Sequence, residues 1–164
     1  MDLWRGDVSG NAMIYMTSKA FIDTNVLVYA YDRSEPLKQR TAFDLLDTLA
    51  NSGTGVISAQ VLSEFFVTVT RKISAPLTLE QAMKRINNFC RVWTVLEINE
   101  MIVLEAVRGV GEHRFSFWDA QIWAAARLNQ VNLVLSEDFS HGSFVEGVRF
   151  INPFLPEFSL HNGL

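Results

Sequence analysis

The sequence predicts an α/β domain of three layers, with a central, mostly parallel sheet flanked by helices. Two observations carry that prediction. Short apolar runs alternate along the chain with longer segments of helical periodicity. The runs AFI, GVIS and NLVLS are also near-continuously apolar, as strands covered on both faces are, instead of alternating with polar residues.

Taken in order, Met1 to Ser18 mixes Gly, Asn, Ser and Asp without periodicity and is expected to be a loose leader, with Met13 or Met16 as alternative starts. Its Arg5-Gly6-Asp7 tripeptide is a chance match to an integrin-binding motif. AFI is the first strand, DTN a turn, and VLVYAYDR a helix that must end before Pro36. Leu37 to Asn51 is an amphipathic helix stopped by Ser52 and Gly53. GVIS is a strand, and AQVLSEFFVTVTRKI a helix despite its β-branched content, ended by Pro76. Thr78 and Gln81 form a capping box for a helix to about Arg91. VWTVLEI is a strand, and Glu100 to Val110 a helix closed by Gly111. Ser116 opens FWDAQIWAAARLN as a helix, VNLVLS is a strand, EDFSHG a loop and VRFINPF the last strand. The domain is expected to span 19–155, with a short frayed tail over 156–164.

Composition narrows the function classes. The 164 residues suit one domain, and 49% hydrophobic and 20% charged positions argue against disorder. Cys90 stands alone and the three His residues have no ligand spacing, so neither a disulfide nor a zinc site is expected. The chain lacks an apolar run long enough to span a membrane and the apolar core of a signal peptide, which points to the cytoplasm. A formal net charge of −4 argues against a wholly basic nucleic-acid-binding surface but leaves room for a local patch.

In such sheets ligands bind outside the carboxyl ends of the strands, so acids at those ends are informative. Asp23 follows AFI, Asp138 follows NLVLS by two residues, and Asp119 lies in the first turn opened by Ser116. Glu64 sits in the helix after GVIS, at the edge of its apolar stripe. Each has a plain alternative: Asp23 can cap a helix, Asp138 can make a turn, Ser116 and Asp119 have the form of a capping box, and Glu64 can face solvent. What those alternatives do not predict is a carboxylate at so many of the points where a site would be built. If the four converge, their repulsion calls for a cation, and all-carboxylate coordination suits Mg²⁺ or Mn²⁺ rather than zinc. That equipment serves phosphodiester hydrolysis.

FIDTNVLVYA, LSEFF, SFWDAQIWAAA and LVLSEDFSHG, in that order, resemble the PIN domain over about Phe21 to Phe154. Within that family the chain is most similar to short VapC-type toxins of toxin-antitoxin pairs. The resemblance implies that Asp23 and Asp119 are the principal Mg²⁺ ligands and that Asp138 holds a second ion or binds through water. It further implies that Glu64 completes this acidic metal pocket and orients or deprotonates the attacking water, through the metal or directly, with Thr24, Asn25 and Ser136 as hydrogen-bonding supports of the carboxylates. Glu137 is left out of this set. The leader departs from the family, whose toxins begin almost at the first strand.

The substrate implied is single-stranded RNA, with a cognate antitoxin protein and a homodimer as partners and Mn²⁺ able to replace Mg²⁺. Alternatives are an RNA-processing PIN nuclease without an antitoxin and a catalytically silent PIN module that binds RNA or protein. A receiver-type signalling domain would need a late Lys, and none follows Lys84. Lys19, Arg33, Lys38, Arg40, Arg71, Lys72 and Arg114 are the candidates to rim an anion-binding pocket. Phe117 and Trp118 are expected in the core in preference to stacking on bases. The VLSEFFVTVT and LLDTLA helices are weighed both as docking surfaces and as core.

Overall fold

The computed structural model describes residues 18–158. The expected leader, with its alternative starts and its Arg-Gly-Asp tripeptide, lies outside them except for Ser18, as does the tail beyond Phe158. Through Phe158 the chain is not frayed: the Phe158 amide donates to Leu155 O at 3.0 Å and its ring packs on the core.

The elements follow one another as β1 (Ala20–Ile22), α1 (Thr24–Tyr29), α2 (Pro36–Ser52), β2 (Gly55–Ser58), α3 (Ala59–Arg71), α4 (Leu79–Val92), β3 (Thr94–Leu96), α5 (Glu100–His113), α6 (Phe117–Leu128), β4 (Leu133–Leu135), β5 (Phe144–Val145) and β6 (Val148–Ile151). The six strands form one sheet in the order β3-β2-β1-β4-β6-β5. All neighbours are parallel except the β5–β6 pair. The central strands are short and wholly buried, which is why they read as unbroken apolar runs.

The strand order fixes where a site can form. The chain steps outward from β1 through β2 to β3, then returns across the sheet to β4 beside β1. Right-handed crossovers place α1 to α4 on one face and α5 with α6 on the other. The direction reverses between β1 and β4, and the crevice at their carboxyl ends is the natural ligand position of such a sheet. Among the described residues no helix is long and apolar enough to cross a membrane.

Three expectations are corrected. Gly111 does not close α5, which runs through both of its glycines to His113 and ends at Arg114 in the left-handed region, φ 60°. Tertiary packing of α5 on α6 outweighs the weak helix propensity of Gly. Gly109 even permits that packing, since a Cβ there would meet the Trp123 ring at 2.9 Å. Pro76 does not end α3, which stops earlier at Arg71. The segment after the EDFSHG loop holds a strand missed in the sequence, β5, joined to β6 by the two-residue turn Glu146-Gly147, with φ of 46° and 90°. Both values positive make a type I′ turn, which ordinarily takes Asn-Gly or Asp-Gly. Glu146 tolerates it because Arg108, Arg127 and His113 hold its carboxylate.

Candidate active site

β1 delivers Asp23 to the crevice. Its amide donates to Leu135 O of β4 at 3.0 Å, which stitches the two strands together where the sheet reverses. With φ −75° and ψ 158° it caps α1, its Oδ1 accepting from the Thr24 amide at 2.6 Å. The other carboxylate oxygen accepts from Ser136 Oγ at 2.6 Å and from Asn25 Nδ2 at 3.2 Å. Asn25 Nδ2 also reaches Ser136 Oγ at 3.1 Å and Asp138 Oδ2 at 2.9 Å, while the Asp138 amide donates to Ser136 Oγ at 3.0 Å. The turn after β1 and the loop after β4 are therefore one hydrogen-bonded unit.

Glu64 and Asp119 come from the helices on either side. Ser58 ends β2 and caps α3, whose second turn carries Glu64. Thr24 Oγ1 donates to Glu64 Oε2 at 2.8 Å, and Gln60 Nε2 donates to Glu64 Oε1 at 2.8 Å. Ser116 caps α6: its Oγ accepts from the Asp119 amide at 3.2 Å and donates to Asp119 Oδ2 at 2.7 Å.

The electrostatics join all four. Burial pushes the Asp23 carboxyl up to about 7, reinforced by repulsion from Asp138 and Glu64 and only partly offset by the bonds from Ser136 and Thr24. Asp119 is likewise raised, first by burial and then by repulsion from Asp138 and Glu64, against the bond from Ser116. No Lys or Arg among the described residues forms an ion pair with any of the four. Oxygen donors with excess negative charge suit a hard divalent ion such as Mg²⁺ or Mn²⁺ in their chemistry, while no three of these four acids bring oxygens within 4.8 Å of one another.

The structure thus brings Asp23, Thr24, Asn25, Glu64, Asp119, Ser136 and Asp138 to one end of the sheet. Glu137 points elsewhere: it accepts from Tyr29 Oη at 2.5 Å and Lys38 Nζ at 2.7 Å. That clasp removes Lys38 from the candidate rim. Lys19 precedes β1 and so lies at the amino edge of the sheet, and Arg71 and Lys72 end a helix that runs about 20 Å away from the crevice. Arg114, two residues before Ser116, stays exposed near the site. Trp118 is 60% exposed and Phe117 36%, so the expectation that this pair is core is wrong. The apolar face of α6 begins one turn later, at Ala120 to Ala126. Conversely Leu45, Leu46, Leu49, Val61, Phe65 and Val69 are core, so those two helices do not offer their main apolar faces as docking surfaces.

Sequence reasoning missed Gln60 and Gln121, which are buried beside Glu64, and a second polar cluster. Glu112, His113 and Glu146 bring ligand atoms within 4.8 Å of one another. Arg108 already bonds both acids, and Arg127 lies 3.0 Å from Glu146, so the charge a metal would balance is balanced. The cluster anchors the β5–β6 turn to α5 and α6.

The sequence profile of the family described as PIN domain matches residues 20–142. No curated protein sequence matches significantly. Among solved structures, a toxin-antitoxin complex from Klebsiella pneumoniae has a chain 20% identical, with TM-score 0.60, covering 82% of this chain and 98% of its own. Mycobacterium tuberculosis VapC20, a Sarcin-Ricin loop cleaving toxin, is 22% identical with TM-score 0.56, covering 80% and 99%. DNA-bound VapBC from Salmonella typhimurium is 16% identical with TM-score 0.56, covering 81% and 96%. At these identities the likeness establishes the shared fold.

Proposed function

The chain belongs to the PIN domain family, and from that premise we propose that it is a Mg²⁺-dependent endoribonuclease that hydrolyses single-stranded RNA as the toxin of a toxin-antitoxin pair. The observation that carries the proposal is the gathering of four mutually repelling carboxylates at the reversal of the sheet, none of them ion-paired to a Lys or Arg among the described residues. Asp23 and Asp119 are the principal holders of the ion, and Asp138, the most exposed, holds it directly or through water. When bound, Mg²⁺ acts as a Lewis acid on the scissile phosphate and makes water a stronger nucleophile, and Mn²⁺ can take its place.

The residues of the chain do the rest. Glu64, with both oxygens tethered by Thr24 and Gln60, keeps a fixed lone-pair direction from which to orient the attacking water and take its proton. Asn25 and Ser136 hold Asp23 and Asp138 in fixed rotamers, so little reorganisation is needed when substrate arrives. Trp118 offers an exposed ring next to Asp119 on which an unpaired base can stack, a preference for single strands. Arg114 contributes charge at the same rim. The toxin role is supported by the kind of proteins that share the fold, among them a toxin-antitoxin complex and VapBC. An antitoxin and a second copy of the chain are the proposed partners, and the cytoplasm the place of action.

Cleavage of a mixed RNA pool by the purified protein, in Mg²⁺ or Mn²⁺ against EDTA, tests the reading, with Asp119→Asn alongside. The expected result is cation-dependent cutting by the wild type, and a folded mutant slowed by about 100-fold or more. Equal cutting by both would remove Asp119 from the site. A folded wild type that leaves every RNA intact would favour a binding module.

A further inference from the structure

Gln60 and Gln121 are 8% and 6% exposed, respectively, a placement that a long amide adopts at a cost of about 1–3 kcal/mol unless its hydrogen bonds are made. Here they are made. Gln121 Nε2, on α6, donates to Gln60 Oε1 at 2.8 Å. Gln60 Nε2, on α3, donates both to Glu64 Oε1 at 2.8 Å and to Trp118 O at 3.2 Å. All three polar functions of the Gln60 amide are thus occupied. Its orientation is forced as well, because the Glu64 carboxylate and the Trp118 carbonyl can only accept. Turning the amide over would set three oxygens against one another and leave Gln121 donating to a nitrogen.

We propose that Gln60, fixed by Gln121, is a positioning residue that locks the Glu64 carboxylate and ties it to the first turn of α6, where Asp119 lies beside Trp118. The inference rests on the nuclease reading above. Glu64 has two tethers: Thr24 joins it to the Asp23 side of the crevice, and Gln60 joins it to the Asp119 side. Without Gln60 the carboxylate keeps one tether and the α3–α6 spacing loses its polar clamp. Gln121 acts in series, through Gln60 alone.

The test compares the full-length wild type with Gln60→Met, Gln121→Met and the double variant, Met being unbranched, helix-compatible and of similar volume. Mn²⁺ binding is followed by electron paramagnetic resonance, and RNA cleavage is resolved into kcat and KM. Gln60→Met is expected to weaken Mn²⁺ binding and lower kcat by about tenfold each, with KM for RNA unchanged. Gln121→Met is expected to lower both less, and to add nothing in the Gln60→Met background. Unchanged Mn²⁺ affinity and kcat in Gln60→Met would overturn the proposal, as would an effect of Gln121→Met equally large with and without Gln60. If Gln60→Met fails to fold, Gln121→Met decides, and wild-type Mn²⁺ affinity and kcat in that variant count against the relay. A wild type that binds Mn²⁺ and cuts RNA while the Gln variants match it overturns the relay alone. One that neither binds Mn²⁺ nor cuts RNA overturns the nuclease reading and the relay with it.

Discussion

Stripped of divalent cations, the protein loses stability as the pH rises, and Asp23 sets the size of the loss. Burial above all, with repulsion from Asp138 and Glu64, moves its carboxyl from the ordinary 3.8 to about 7. Between those values the folded chain keeps a proton that the unfolded chain has released. Stability is therefore full below pH 4 as far as this group is concerned, and it drains away as the pH climbs to about 7. A shift of about three pKa units corresponds to roughly 4 kcal/mol, or on the order of 10 °C in melting temperature for a domain of this size. Thermal melts in EDTA at constant ionic strength, from about pH 5 to pH 8, read the upper part of this titration, roughly 2.5 kcal/mol or on the order of 7 °C. Asp23→Asn keeps the shape of the side chain and removes its titration, so its melting temperature is expected to fall less than that of the wild type over that window, the remaining fall coming from Asp119, which is also raised. Saturating Mg²⁺ is expected to flatten the wild-type profile, because a cation between the acids replaces the proton. A wild-type melting temperature that holds level or rises across the window in EDTA would refute the reasoning. So would an equal fall in Asp23→Asn.

Two further substitutions separate packing from binding. Trp118→Ala is expected to weaken single-stranded RNA binding by about tenfold in a filter-binding or anisotropy titration, with the melting temperature unchanged because the ring is exposed. Gly109→Ala sets helix propensity, which favours Ala by about 1 kcal/mol, against a new Cβ 2.9 Å from the Trp123 ring. That ring cannot recoil: it is wholly buried, lies against His113 and Phe115, and donates its Nε1 to Val145 O at 3.2 Å. The clash wins, at a net cost of about 1–3 kcal/mol, visible as a lower melting temperature.

The fold was legible wherever a single physical signal dominated. Unbroken apolar strands, Thr78 with Gln81 and Gly53 past α2 all have local causes, and the structure shows each in place. Where a distant group decides, local reading failed. Glu146 is a poor residue for a type I′ turn, and only Arg108 and Arg127, which arrive from α5 and α6, make it tolerable. Gly111 would stop an isolated helix, but α5 is held along α6 past it. The candidate site divides in the same way. Asp23, Asp119 and Asp138 stand at or just beyond element ends and can be seen in the sequence, whereas Lys38 belongs to Glu137 only because the fold brings together residues 99 apart. Gln60 and Gln121 carried a faint signal, two amides in otherwise apolar helical stretches, which is meaningful only once they are found touching.

Capping and metal binding had looked like competing explanations for Asp23 and Asp119, yet the capping contacts leave room for the proposed metal role and prepare it. Asp23 gives one oxygen to the Thr24 amide and the other to Ser136 and Asn25, and Asp119 gives one oxygen to Ser116. A cap fixes the carboxylate rotamer with donors from its own helix end, and a metal needs its ligands fixed in just that manner. The cap also favours the ionised form through the positive end of the helix, against the burial that opposes it. In Asp23 burial prevails, and without a cation the charge that remains is a strain on the fold. A site built this way is least stable when empty, so occupancy by a divalent ion and stability of the domain rise together.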